Sequence, residues 1–255
     1  MKKYKLIAFD LDDTLAPSKT LLPPEMVKVL TSLLDVCEVC IISGGQFGQF
    51  ETQVLQPLAA AQARLDRLHI MPTCGTRYCL YREGQWGDVY QRNLTDKESS
   101  EAMRVLEEEA RRLGLWEDET WGDILEDRGS QITFSALGQS APVEAKQAWD
   151  PTREKKEAVR AAVAPRLPGL EVRSGGSTSI DITRKGVDKA YGITELSAHT
   201  GIAIEDMLFV GDRLDEGGND YPVVRTGIET RAVENWQETV QFIEEYVARA
   251  SSGEG

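Results

Sequence analysis

The chain has 255 residues, 41% hydrophobic and 28% charged, which suits a globular fold with a sizeable core in one large domain or two small ones. Its 42 acidic and 29 basic residues give a formal charge of -13. That argues against a broad electrostatic grip on nucleic acid or anionic lipid, but not against a small anion held by a metal and a few cations. No apolar run is long enough for a membrane span, and Met1-Lys2-Lys3-Tyr4 leads into the first strand without a signal-like apolar core. The expected setting is cytoplasmic, with no nucleic acid and no membrane as partner.

The first eighty residues alternate strand and helix patterns. Residues 5–9 read as a strand and 24–34 as a helix with proline near its start. Residues 36–42 form the next strand, Ser43-Gly44-Gly45 breaks it, 47–58 reads as a helix, and 69–72 as a short strand. Such alternation predicts βαβ units on a parallel sheet. The rhythm then changes. Runs at 78–81 and 86–90 flank a turn and predict a hairpin. Residues 97–113 form an amphipathic helix whose apolar positions suit either its own sheet or a partner chain, so a homodimer through this region is one arrangement. Strands are expected at 124–126, 131–136, 170–173 and 178–183, with a helix at 155–163. From Gly186 the first rhythm resumes, with a helix at 188–200, a strand at 206–211 and a last helix at 236–248; residues 251–255 read as a frayed tail.

The expected architecture is therefore an α/β, Rossmann-like parallel-sheet core formed by residues 1–82 and 185–255. An α+β cap, residues 83–184, is inserted into it. Cys37 and Cys40 form a C-x-x-C that falls on a strand, where residues three apart face opposite sides. All four cysteines read as reduced and structural, and His69 and His199 as packing or surface residues.

The chemistry gathers at element ends, where ligands of open α/β sheets bind. Residues 5–9 are an apolar run that stops at Asp10-Leu11-Asp12-Asp13-Thr14. Carboxylates beside a buried strand are costly unless compensated; a divalent cation would compensate them and leave one carboxylate free to attack an electrophile. Ser43, with Gly44 behind it, offers a hydroxyl and backbone N–H groups suited to a phosphate oxygen. Lys189 opens a helix, and residues 208–211 end at Asp212, with Asn219-Asp220 following. Singly, these residues read as a turn carboxylate, a helix cap, a solvated lysine and a loop carboxylate. Their order and placement at strand ends point instead to one site.

Together these residues resemble the haloacid dehalogenase (HAD) superfamily of phosphotransferases. Asp10-Leu11-Asp12-Asp13-Thr14 is similar to its D-x-D-x-T motif, with Asp13 where glycine is common. Ser43, Lys189 and Gly211-Asp212 resemble its second, third and fourth motifs. The insertion between the second and third motifs matches the IIB branch. Residues 211–220, and the run from Gly175-Gly176-Ser177-Thr178 through Lys189, further resemble eukaryote-type phosphomannomutases. The resemblance implies Asp10 as nucleophile and Asp12 as general acid and base. It implies Mg2+ bound by Asp10, the Asp12 carbonyl and Asp212, with Asn219 and Asp220 in support, and phosphate contacts from Ser43, Gly44 and Lys189. Asp13 is expected only to shape the turn. Arg128, Ser179 and Asp181 are the implied cap contacts to a sugar phosphate, while two further cap arginines of that family fall on Gln139 and Lys146. The expected activity is sugar-phosphate hydrolysis; the alternatives are a hexose phosphomutase such as phosphomannomutase, and a non-catalytic sugar-phosphate-binding module.

Overall fold

The computed structural model describes residues 2–175 and 178–252. Gly176 and Ser177 lie outside them, as do residues 253–255 of the expected tail. The chain divides into two compact units, one of residues 1–91 and 187–255 and the other of residues 92–186.

The first unit is built on strands β1 (Leu6–Phe9), β2 (Glu38–Ile42), β3 (Leu68–Met71), β4 (Arg77–Arg82) and β5 (Gln85–Gln91), joined later by β10 (Met207–Gly211) and β11 (Glu229–Ala232). These form one seven-stranded sheet in the order β11-β10-β1-β2-β3-β4-β5. It is parallel from β11 through β3 and antiparallel at the β4–β5 hairpin. β1 is buried on both faces, as a central parallel strand must be. On one face lie α1 (Pro24–Val36) and α8 (Trp236–Ser252), packed on Ile7, Phe9, Val39 and Ile41. On the other lies α7 (Lys189–Thr200), whose Ile193 and Leu196 meet Leu6, Ala8 and Phe209. Cys37 belongs to the first face and Cys40 to the second, so the C-x-x-C does not converge.

Between β2 and β3 the chain forms α2 (Phe47–Phe50), a π-helical stretch Glu51–Leu55 and α3 (Gln56–Ala60). Pro57 explains the irregularity, because an α-helical carbonyl at Gln53 would need the N–H that Pro57 lacks. That carbonyl accepts from Leu22 N–H instead, at 3.0 Å.

The second unit contains α4 (Asp96–Arg112), β6 (Leu125–Asp127), β7 (Gln131–Ser135), α5 (Val143–Trp149), α6 (Glu154–Val163), β8 (Leu170–Ser174) and β9 (Ser179–Arg184). Its antiparallel sheet runs β6-β7-β9-β8. Ile132, Phe134, Ile180 and Ile182 point to a core closed by Ala102, Val105 and Leu106 of α4 and Val159 of α6. The apolar positions of α4 are thus used within the unit. Residues of opposite parity, among them Thr133 and Asp181, make the other face polar.

Besides this interrupted helix, where one helix was expected over 47–58, the structure departs from expectation elsewhere. The boundary expected after residue 82 would cut the β4–β5 hairpin, whose ladder runs to Gln91 within the large sheet; the division falls at 91/92. β11 and α5 were not expected. The last helix extends through Ser252, beyond the predicted residue 248.

Candidate active site

Asp10 follows the buried end of β1, and its N–H donates to the Val210 carbonyl at 3.0 Å. β10 runs parallel beside β1 with Phe9 opposite Val210, so Asp10 and Asp212 emerge from neighbouring strand ends. Gly211 makes a close approach possible there. A Cβ at that residue would lie 2.4 Å from a carboxylate oxygen of Asp220. Asp10, Asp212 and Asp220 consequently bring carboxylate oxygens within 4.8 Å of one another.

Lys189 crosses this group from the first turn of α7. Its ammonium lies 2.5 Å from Oδ1 of Asp10 and 2.5 Å from Oδ1 of Asp220. All three side chains are buried. Burial pushes the Asp10 carboxyl well above the usual range, and the Asp220 charge adds to the push while Lys189 opposes it. Burial would lower the Lys189 ammonium, but the Asp10 and Asp220 charges outweigh it and raise it. Asp212 is raised by burial and by Asp220, against the hydroxyl of Thr14. That hydroxyl donates to Asp212 Oδ1 at 3.1 Å and accepts from Asp212 N–H at 3.1 Å.

Three carboxylates facing one ammonium leave excess negative charge in a largely buried space. Hard oxygen donors at this spacing suit a Mg2+-sized cation that also keeps water and substrate oxygens in its shell. The donor set therefore fits the expected metal. Asp220 stands inside the carboxylate group itself, where sequence reasoning gave it only support. Asn219, expected beside it, is exposed.

Asp12 is arranged differently from Asp10. Its Oδ1 accepts from Lys19 N–H at 2.7 Å and its Oδ2 from the Gln49 amide at 3.3 Å. The carboxylate is fixed and partly exposed, apart from the Asp10 group. Asp13 has φ 63°, a left-handed conformation that glycine and aspartate tolerate better than most residues. It also accepts from Ser18 N–H at 3.1 Å. This gives a physical reason for aspartate where the related motif favours glycine.

Ser43 follows β2, the strand beside β1. Its hydroxyl accepts from Gly45 N–H at 3.2 Å, and its carbonyl accepts from Cys74 N–H at 2.9 Å. Gly44 is half-buried next to it. The turn that carries Cys74 interlocks with α7 at Gly192, where a Cβ would meet the Cys74 carbonyl at 2.8 Å. The Ser43 loop and the lysine helix thus share one support.

The remaining expected residues lie in the second unit. Arg128 pairs with Glu126 at 2.7 Å and donates to the Gln139 side chain at 3.3 Å. Gln139 donates in turn to the Ser135 hydroxyl at 2.9 Å, and the Lys146 ammonium donates to the Gln139 carbonyl at 3.1 Å. Asp181 accepts from Gln131 and Thr133, each at 2.8 Å, on the polar sheet face. Ser179 opens β9 on that face, opposite Ser135. Sequence reasoning missed Gln49, Gln131, Thr133 and the partnership of Thr14 with Asp212. Of these, only Thr14 carried a signal, its fixed place after the paired aspartates.

A family model described as eukaryotic phosphomannomutase matches residues 117–249, just over half of the chain. The chain is 26% identical over 233 residues to a phosphomannomutase of Encephalitozoon cuniculi, covering 86% of this chain and 83% of that protein. It is 25% identical over 233 residues to the Saccharomyces cerevisiae phosphomannomutase, covering 87% and 85%. Among solved structures, an N-terminally truncated Plasmodium falciparum IMP-nucleotidase aligns with a TM-score of 0.70 at 15% identity, over 96% of this chain and 70% of that one. A trehalose-6-phosphate phosphatase related protein aligns with a TM-score of 0.60 at 14% identity, over 97% and 99%. These structural likenesses establish the fold.

Proposed function

The chain belongs to the eukaryotic phosphomannomutase family, within the HAD superfamily, and from that membership we infer that it moves the phosphoryl group of a hexose phosphate through an aspartyl-phosphate on Asp10. The observation that carries this reading is the largely buried group of Asp10, Lys189, Asp220 and the half-buried Asp212. A carboxylate oxygen of Asp10 forms the bond to phosphorus as the bond to the sugar oxygen breaks. Lys189 holds that carboxylate and meets charge on the transferring oxygens, with Ser43 and Gly44 as further donors. Positioning and charge neutralisation of this kind supply most of the catalysis in phosphoryl transfer. Mg2+, held by Asp10, Asp212 and the Asp12 carbonyl with Asp220 beside them, would neutralise phosphate charge.

Asp12 is the general acid for the departing sugar oxygen and then the base for the acceptor. Its bonds to Lys19 N–H and Gln49 fix its carboxylate. Arg128, Ser179 and Asp181 are the proposed sugar-phosphate contacts of the cap, and we take the enzyme to be cytoplasmic. Among the described residues no helix is long and apolar enough to cross a membrane.

Family membership favours a second sugar hydroxyl as acceptor, which makes the enzyme a hexose phosphomutase. A specific feature favours water, and hence the phosphatase reading. By the resemblance, two cap arginines of that family fall on Gln139 and Lys146 here, and neither residue supplies the planar bidentate fork that holds a second phosphate best. Mannose 1-phosphate supplied with Mg2+ and a trace of hexose bisphosphate separates the readings. Mannose 6-phosphate supports the mutase, and free phosphate without isomer supports the hydrolase. No turnover on a broad phosphoester panel, together with tight binding, would support the non-catalytic module.

A further inference from the structure

Lys189 and Asp220 come from segments far apart in sequence, and the structure ties those segments together twice. The first tie is the 2.5 Å contact between the Lys189 ammonium and Asp220. The second lies one residue before Lys189 and five after Asp220, where the Arg225 guanidinium donates to Oδ2 of Asp188. Asp188 is also the cap of α7, its Oδ1 accepting from Tyr191 N–H at 3.1 Å. Its carboxylate is 4% exposed, while the Arg225 side chain is 58% exposed.

The segment between the two ties is a 3₁₀ turn, Tyr221–Thr226. Such a turn rises about 2 Å per residue, so Asp220 and Arg225 sit near its two ends. Its Val223 is buried in the same cluster as Ile193 and Leu196 of α7. The turn is therefore a short bar lying against the helix that presents Lys189. On its other side, Asp220 closes the largely exposed stretch 213–219, its Oδ2 accepting from Arg213 N–H at 3.1 Å and its N–H donating to the Arg213 carbonyl at 3.2 Å, so its place against α7 depends on the turn.

We propose that Arg225 is a positioning residue. By gripping Asp188 it sets the register between the 3₁₀ turn and α7, and so holds Asp220 in line with Lys189, Asp10 and Asp212. Solvent reaches the Arg225 side of the pair, while Asp188 is buried. The effect of the arginine is geometric, since the carboxylate it grips is buried at the helix start. Losing the grip frees one end of the bar, and the carboxylate at the other end moves out of line with the metal-binding group.

The test uses the full chain with Arg225→Gln and Arg225→Lys. The first measurement is the Mg2+ concentration that gives half of the maximal rise in melting temperature. The second is Mg2+-dependent hydrolysis of p-nitrophenyl phosphate. Removing a partner that supports metal ligands typically costs about 10–100-fold in affinity or activity. We expect Arg225→Gln to need about tenfold more Mg2+ and to lose about tenfold in kcat with KM within about twofold. Arg225→Lys should recover most of both; Arg225→Gln also leaves the buried Asp188 without its cation, so its Mg2+ midpoint is read against its own lowered metal-free melting temperature.

A Mg2+ midpoint for Arg225→Gln within about twofold of the parent's overturns the proposal, because supporting partners matter more than that. So does a lysine variant as impaired as the glutamine one, or the absence of any Mg2+ stabilisation in the parent. The kinetic measurement rests on the phosphoryl-transfer reading and the Mg2+ titration does not. A parent that is stabilised by Mg2+ but turns over no phosphoester defeats that reading while leaving the titration to judge Arg225.

Discussion

Replacing Lys189 by methionine removes an ammonium and keeps an unbranched side chain of similar length. The ammonium lies 2.5 Å from oxygens of both Asp10 and Asp220, and the three side chains are 1%, 5% and 0% exposed. At an effective dielectric of ~20, each contact at that distance attracts by roughly 7 kcal/mol before desolvation is considered. Stripping water from three charges offsets much of this. Removing one partner of a buried pair costs about 3–5 kcal/mol, because the remaining charge stays buried without compensation. We expect Lys189→Met to lose about 3–5 kcal/mol of unfolding free energy in urea at neutral pH without Mg2+.

The pH dependence of this loss has a definite sign. Burial and the Asp220 charge raise the Asp10 carboxyl while Lys189 opposes them, so without Lys189 it rises further. A carboxyl raised on folding binds its proton more tightly in the native state. The stability deficit is then full above its folded value and shrinks as pH falls through it. A loss below about 1 kcal/mol at neutral pH, or a deficit that grows on acidification, would refute the reasoning.

Asp10→Asn should lower turnover by about three orders of magnitude or more with its circular dichroism unchanged; near-normal turnover would remove Asp10 from the nucleophile's role. Gln139→Arg combined with Lys146→Arg should raise the ratio of mannose 6-phosphate to free phosphate at least about tenfold, the worth of one charge-assisted hydrogen bond. An unchanged ratio places acceptor choice elsewhere. Cys37, Cys40 and Cys79 are buried and Cys74 is half-buried, and burial pushes the Cys37 and Cys79 thiols up to about 12. A disulfide reagent at about pH 8 should therefore titrate Cys74 alone in the native protein and all four thiols in urea.

The central strands of the core sheet were legible because they are covered on both faces. Residues such as Leu6-Ile7-Ala8-Phe9 and Leu208-Phe209-Val210 are apolar runs stopped abruptly by carboxylates, and no exposed element reads that way. β11 shows the converse. Glu229-Thr230-Arg231-Ala232 is exposed throughout, so no apolar pattern marks it, and it is held by its backbone pairing with β10. The β4–β5 hairpin was visible as a hairpin, but turn chemistry and alternation do not say which sheet it extends. That depends on the ladder between β3 and β4, a tertiary fact.

Legibility of the site follows the same division. Asp10, Ser43 and Asp212 sit at strand ends, where a local pattern suffices to place a side chain near its neighbours. Asp220 comes after an eight-residue interval from Gly211 that has no regular period, and Asn219 beside it was an equal candidate from sequence. What separates the two is space. Gly211 leaves room for the Asp220 carboxylate, which the Lys189 ammonium then holds, while Asn219 stays exposed. Arg225 had still less to reveal it, as one arginine in an irregular stretch, until the fold set it against Asp188. Residues that react follow the strands and can be read from them. Residues that hold those in place come from wherever the chain happens to return, which is why sequence placed Asp10 and overlooked Arg225.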